Sequence, residues 1–190
     1  MKALMKMKPG HGNVQIHPME EPACTDQTVK IEVHYTGICG TDLHILHDTF
    51  KNYPPVVLGH EFSGIVTETG KDIKRLRVGD RVTVLPSTAV TCGECSYCRQ
   101  GFYMFCPDRR GMGHGVHGSF TKYVVVREDM VYSVPDHVPL EVAALSEPLA
   151  CVVSALEELA QLQAGDQVLI SGPGPIGLLC LTPLAGRGRR

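Results

Sequence analysis

Four cysteines, Cys92, Cys95, Cys98 and Cys106, fall in the pattern C-x2-C-x2-C-x7-C. Two residues between thiols let one tight turn deliver both sulfurs to a single ion, and Gly93 eases the first of these turns. Four thiolates suit zinc in a closed tetrahedron, where the metal ties down a loop and performs no chemistry. An iron–sulfur cluster is the alternative, because Cys106-Pro107 ends the run as in bacterial ferredoxins. Those motifs place three residues before the last cysteine, whereas seven stand here. The chain holds eight cysteines, an even number compatible with disulfides in a secreted domain. Its start, Met1-Lys2-Ala3-Leu4-Met5-Lys6-Met7-Lys8, lacks the apolar stretch of a secretory leader and reads as a first strand. A metal-bound lobe over 92–106 in an intracellular, cytoplasmic chain is therefore the expectation.

Composition narrows the classes further. With a formal net charge of −2 over 190 residues, the chain carries no electrostatic footprint for nucleic acid or an anionic membrane. No apolar run reaches the roughly 18 residues of a membrane span. Half-buried strands are predicted at 29–35, 64–67, 81–85 and 123–126, where apolar and polar side chains alternate. A short helix is predicted from Thr41, with Thr41 or Asp42 as its cap. Helical patterning follows over 141–145 and 152–162, with a break near Pro148.

After Gly165-Asp166 a strand is predicted at Gln167-Val168-Leu169-Ile170-Ser171, running into Gly172-Pro173-Gly174-Pro175-Ile176-Gly177. A strand, a glycine turn and a helix start open a dinucleotide-binding βαβ unit. Thr182-Pro183 is expected to stop that helix after about one turn, leaving Gly186-Arg187-Gly188-Arg189-Arg190 as a tail.

A second donor set is available in Cys39 and the pair His60-Glu61. A thiolate, an imidazole and a carboxylate leave a fourth zinc position free for water or substrate. Neighbours on a regular strand point to opposite faces, so both His60 and Glu61 reach one ion only from an irregular backbone. The other readings place Glu61 beside a ligand, or the whole pair on a solvated surface.

Taken together, Gly59-His60-Glu61, Cys39-Gly40-Thr41-Asp42-Leu43-His44, the four-cysteine lobe and the glycine turn stand in the order found in zinc-dependent medium-chain dehydrogenases. The chain resembles the alcohol, sorbitol and threonine dehydrogenase branch of that family over about residues 1–181. The resemblance implies a mainly β fold with flanking helices: a GroES-like barrel catalytic domain over 1–150, then a linking helix and an incomplete dinucleotide-binding (Rossmann) domain over 151–190. It implies one catalytic zinc on Cys39, His60 and Glu61, with Glu147 beside the metal and able to join it, and one structural zinc on Cys92, Cys95, Cys98 and Cys106. Cys151 is close in sequence, as a third ligand in many plain alcohol dehydrogenases is, but four residues out of register with Glu147; buried packing is the expectation for it.

Within the same resemblance, Thr41 and His44 form a proton relay, and Asp42 accepts the second ring N–H of His60. On residue type alone, His44 also reads as an exposed helix histidine and Asp42 as a cap. His114 and His117 are metal-capable, yet their glycine-rich surroundings read as a solvated loop. The implied reaction is hydride transfer from a secondary alcohol or polyol to NAD or NADP, whose pyrophosphate rests on Gly172, Gly174 and Gly177. Pro86-Ser87-Thr88-Ala89-Val90-Thr91 lacks the histidine expected of a threonine-specific member, which favours a polyol. The residue that selects NAD or NADP belongs about 20 residues beyond the glycines, and the arginine-rich ending does not resemble the family's helix. Truncation is thus expected to impair dinucleotide binding, with a catalytically inactive zinc-binding fragment or interaction module as the alternative. Full-length relatives are homo-oligomers through the Rossmann sheet; here exposed sheet edges are expected instead.

Overall fold

A computed structural model describes residues 1–158, 162–163 and 165–187. The alternating stretches form the strands they predict. Strands β1 (Lys2–Lys6), β2 (Val14–Pro18), β3 (Thr28–Gly37), β4 (Val56–Val57), β5 (Glu61–Thr69), β6 (Arg81–Val84), β7 (Tyr123–Arg127) and β8 (Val131–Ser133) make two antiparallel sheets. The larger has the order β7-β3-β5-β6-β8 and the smaller β2-β1-β4. The large sheet curls around Val29, Ile31, Phe62, Val66, Val82, Val84, Val124 and Val126, every one of them buried. Ala3, Met5 and Val57 form a smaller cluster under the second sheet.

One register decides where the chemistry sits. In the β3–β5 pairing Gly37 lies opposite Glu61. Cys39, two residues past the end of β3, is thereby brought against His60, which immediately precedes β5. Irregularities at Lys30/Ile31 and Val33/Tyr35 bend β3 on its way there.

Helix α1 (Gly40–Leu46) follows β3 directly. Cys39, rather than Thr41 or Asp42, is its cap residue. Asp42 sits one turn in and accepts the Cys39 N–H at 2.9 Å through Oδ2, so its carboxylate faces back across the helix start. Helix α2 (Ser96–Arg99) lies within the four-cysteine lobe. Helices α3 (Leu140–Ala143) and α4 (Ser146–Glu158) follow the last strand. The predicted break at Pro148 falls instead between these two helices. Pro148 occupies the first turn of α4, where its missing N–H would have no helical partner anyway. The Ser63 hydroxyl donates to the Leu140 carbonyl and pins α3 to β5. Arg81 donates to the carbonyls of Pro135, Asp136 and Val138, fixing the segment that leads there.

Two expectations near the C-terminal end are corrected. Residues 167–171 form no strand: among the described residues no neighbour pairs with their N–H and C=O groups, and a strand exists only through such pairing. Helix α5 (Pro175–Arg187) does not stop at Pro183 but runs through it. Proline's fixed φ is itself helical, so the helix can continue past Pro183 at the cost of a backbone hydrogen bond. The expected tail from Gly186 is thus helical as far as Arg187. Positions 188–190, and 159–161 at the end of the predicted 152–162 helix, lie outside the described residues. No helix among those described is long and apolar enough to cross a membrane.

Candidate metal centre

The Cys39 thiol, a His60 ring nitrogen and a Glu61 carboxylate oxygen all lie within 4.8 Å of one another. Gly59 makes this possible. Its φ of +87° turns the backbone just before β5, so His60 and Glu61 escape the strict alternation of a strand and serve one site. A side chain at Gly59 would strike the Phe120 ring, and one at Gly37 would strike Glu61 Oε2. Glu61 is buried at 8% exposure, its carboxylate lying in space that the bare Gly37 leaves open.

Asp42 braces the same corner from behind. It is 4% exposed and accepts the Gly59 N–H at 3.2 Å through Oδ1 in addition to the Cys39 N–H. Oδ1 stands 3.8 Å from His60 Nδ1. That exceeds a hydrogen bond, and Nδ1 is buried with no partner. Asp42 therefore faces the imidazole without accepting its ring N–H, which corrects that expectation; its hydrogen bonds go instead to the backbone at the Cys39 and Gly59 turns. Burial pushes the Asp42 carboxyl up, opposed by the charge of His60 and by those two N–H groups. Burial pulls His60 down, but the Cys39 hydrogen bond and the charges of Asp42, Cys39 and Glu147 outweigh it and leave it raised.

Glu147, on the first turn of α4, faces this cluster. Burial raises its carboxyl; the charge of His60 lowers it and that of Glu61 raises it again. Cys151, one turn further along α4, is exposed, which corrects the expectation of buried packing. Burial of its sulfur raises its thiol, and so do the charges of Glu147, Cys39 and Glu61, so it borders the site without belonging to the three-donor group. A cavity of about 160 Å³ opens over His60, walled by Thr41, Ser87, Met112, His114 and Glu147. Thr41 thus faces the cavity. His44 does not line it; this exposed ring lies one turn along α1, 3.3 Å from the Thr49 hydroxyl.

His114 is not in a solvated loop. The glycine-rich segment folds back so that this ring lines the cavity and meets Phe50 edge-on, with centroids 5.2 Å apart. Burial, helped by the charges of His60 and Arg109, takes its pKa down to about 4. His117 accepts the Val57 N–H through Nδ1 at 3.2 Å, a structural role. Arg109, also on the cavity wall, was not singled out from the sequence. The adjacent arginines Arg109-Arg110, three residues past Cys106, were the signal available.

The second donor set is closed. The sulfurs of Cys92, Cys95, Cys98 and Cys106 lie within 4.8 Å of one another. Backbone N–H groups point at them, from Cys95 to the Cys92 sulfur at 3.3 Å and from Cys98 to the Cys95 sulfur at 3.4 Å. The N–H groups of Cys95 and Glu94 hold Cys92 down at about 7, while burial pushes Cys98 up to about 12. Four sulfurs this close can all be thiolates only with a cation among them, and tetrahedral zinc fits. The open set fits a divalent ion too. One thiolate and one carboxylate carry the charge that such an ion balances, and the imidazole beside them, with Asp42 facing its Nδ1, completes a donor set of the kind that holds an open zinc site.

The glycine turn is less complete. Gly172 has φ of +102°, and a side chain at Gly177 would strike the Gly172 carbonyl, so the close turn into α5 is formed. Gly174 accepts the Leu178 N–H at 2.9 Å as the helix begins.

A curled antiparallel β-domain carrying an open and a closed metal-donor set, followed by a glycine turn into a helix, is the architecture of zinc-dependent medium-chain dehydrogenases. Residues 25–136 match the alcohol dehydrogenase GroES-like domain, and the chain belongs to that family. It is 46% identical over 95% of its length to D-arabitol-phosphate dehydrogenase from Enterococcus avium. To sorbitol dehydrogenase from Halalkalibacterium halodurans it is 44% identical over 94% of its length. Among solved structures, galactitol-1-phosphate dehydrogenase from Escherichia coli superposes with a TM-score of 0.86 at 31% identity, covering 99% of this chain and 53% of that one. The chain spans about half the length of the two curated relatives, 51% and 52% respectively.

Proposed function

We propose that this chain supplies the catalytic domain of an NAD(P)-dependent polyol dehydrogenase, removing a hydride from a secondary alcohol. Supporting this is the convergence of Cys39, His60 and Glu61 within 4.8 Å beneath a cavity that Thr41 faces. These three residues hold the catalytic zinc, with Glu147 placed to join them, and Cys92, Cys95, Cys98 and Cys106 hold a structural one. When bound at the open set, zinc acts as a Lewis acid that lowers the pKa of an alcohol; the nicotinamide dinucleotide provides the hydride acceptor. The Thr41 hydroxyl would accept the alcohol proton at the cavity wall as it gives up its own, and His44, exposed one turn on, would release a proton to solvent. Asp42 keeps the two ligand-bearing turns fixed while this happens. Gly172, Gly174 and Gly177 bring backbone close to the dinucleotide phosphates at the start of α5.

Metal analysis of the purified chain tests the site, with about two zinc per chain expected and one in the Cys39→Ser variant. Equal metal content in both would contradict the assignment. A second reading, an inactive zinc-binding module, is favoured by segment 167–171, which pairs with no strand among the described residues. Polyol-dependent reduction of NAD or NADP separates the two, since the module shows none with both zincs in place.

A further inference from the structure

The cavity over His60 adjoins a second one of about 310 Å³, and Phe50, Arg109 and His114 wall both. The second cavity is basic: Lys51, Arg109 and Arg110 line it against a single acid, Asp108. The Arg110 guanidinium lies over the Tyr53 ring at 4.4 Å, and the Lys51 ammonium lies 5.4 Å from the same ring. Arg109 donates to the Ser87 carbonyl at 3.0 Å. Aromatic and backbone contacts thus hold all three cations, and among the described residues none of them forms an ion pair with a carboxylate. Three like charges gathered about one carboxylate repel one another, and a bound anion relieves that repulsion. The fork of a guanidinium matches phosphate oxygens. Three cations against one carboxylate leave an excess that suits the charge of about −2 on a phosphate monoester better than the single charge of a carboxylate.

We propose that the polyol accepted by this cleft is a phosphate monoester, its phosphate on Lys51, Arg109 and Arg110 and its carbinol end reaching the Cys39, His60 and Glu61 set past His114. The inference rests on the polyol reading of the cleft. A phosphate of the dinucleotide has the same chemistry, so the test includes both sources.

Calorimetric titration of the zinc-loaded chain with sorbitol 6-phosphate, sorbitol and NADP at one ionic strength distinguishes them. The expected result is that sorbitol 6-phosphate binds more tightly than sorbitol by roughly tenfold or more, and that the Lys51→Gln/Arg110→Gln double variant abolishes this difference. Its zinc content and circular dichroism should match those of the parent. Equal affinity for the two polyols, or no binding of the phosphorylated one, overturns the proposal; so does a loss of NADP binding in the double variant. Failure of the metal-site reading is seen separately, as Cys39→Ser retaining the parent's zinc.

Discussion

Asp42 is a small residue position with three structural duties. One carboxylate accepts from the turn that carries Cys39 and from the turn that carries His60, and it faces the imidazole itself. The sequence suggests either a helix cap or an imidazole partner; in the fold Cys39 holds the cap position, and Asp42, one turn in, accepts the cap residue's N–H and faces the imidazole at 3.8 Å without bonding it. His114 shows the opposite case. Its glycine-rich neighbours suggested solvent, and only the folded-back loop places it against Phe50 and the cavity. Its burial has a measurable consequence. The unfolded ring titrates near 6.5 and the folded one near 4, so between these values the unfolded chain binds more protons. Stability is therefore full above pH 6.5 and falls as the pH drops through that window. Because the ring is partly exposed, the loss is on the order of 1–2 kcal/mol after allowing for screening. Urea unfolding of the parent and of His114→Gln at pH 7 and pH 5 checks this, the variant losing less stability than the parent.

At the scale of elements, the antiparallel register of β3 and β5 assembles the open site, while the closed one is assembled within a single loop. That difference explains what the sequence made legible. The spacing of Cys92, Cys95, Cys98 and Cys106 suffices to bring the sulfurs together, because two-residue gaps are a local geometry. Cys39 and His60 are joined only by pairing across the sheet, and without the family resemblance a His-Glu pair says little. Lys51 and Arg110 were not anticipated, since the loops that bring them over Tyr53 are fixed by tertiary packing. The strand predicted at 167–171 failed for a related reason, an apolar run needing a partner. The register also makes Gly37 a specific point of control. A methyl group there would meet the Glu61 carboxylate, which is the movable end of a side chain. Gly37→Ala should therefore keep the fold, within about 1 kcal/mol of the parent, while displacing one donor of the open set. Chelator competition is expected to find one zinc held as in the parent and the other weakened by about tenfold or more.

For the whole molecule, apolar burial is uneven. The sheets enclose a continuous core between Val29 and Val131, yet Leu169 is 92% exposed. Ile176, Leu178 and Leu181 on α5 are also more than half exposed. An apolar surface of this kind in water favours covering by another surface, at about 25 cal/mol per Å² removed from solvent. Segment 167–171 additionally offers backbone groups that no described neighbour satisfies, so pairing between copies would serve both needs at once. The 190-residue polypeptide is accordingly expected to self-associate with increasing concentration in sedimentation velocity experiments. Leu169→Glu/Leu178→Glu should shift it toward monomer, because each charge would have to be buried for the association to persist. Both donor sets lie in the β-domain outside this surface, so the double variant should retain the parent's zinc content. Association that survives these substitutions would instead point to the other large exposed apolar group, Phe102 to Phe105 on the four-cysteine lobe.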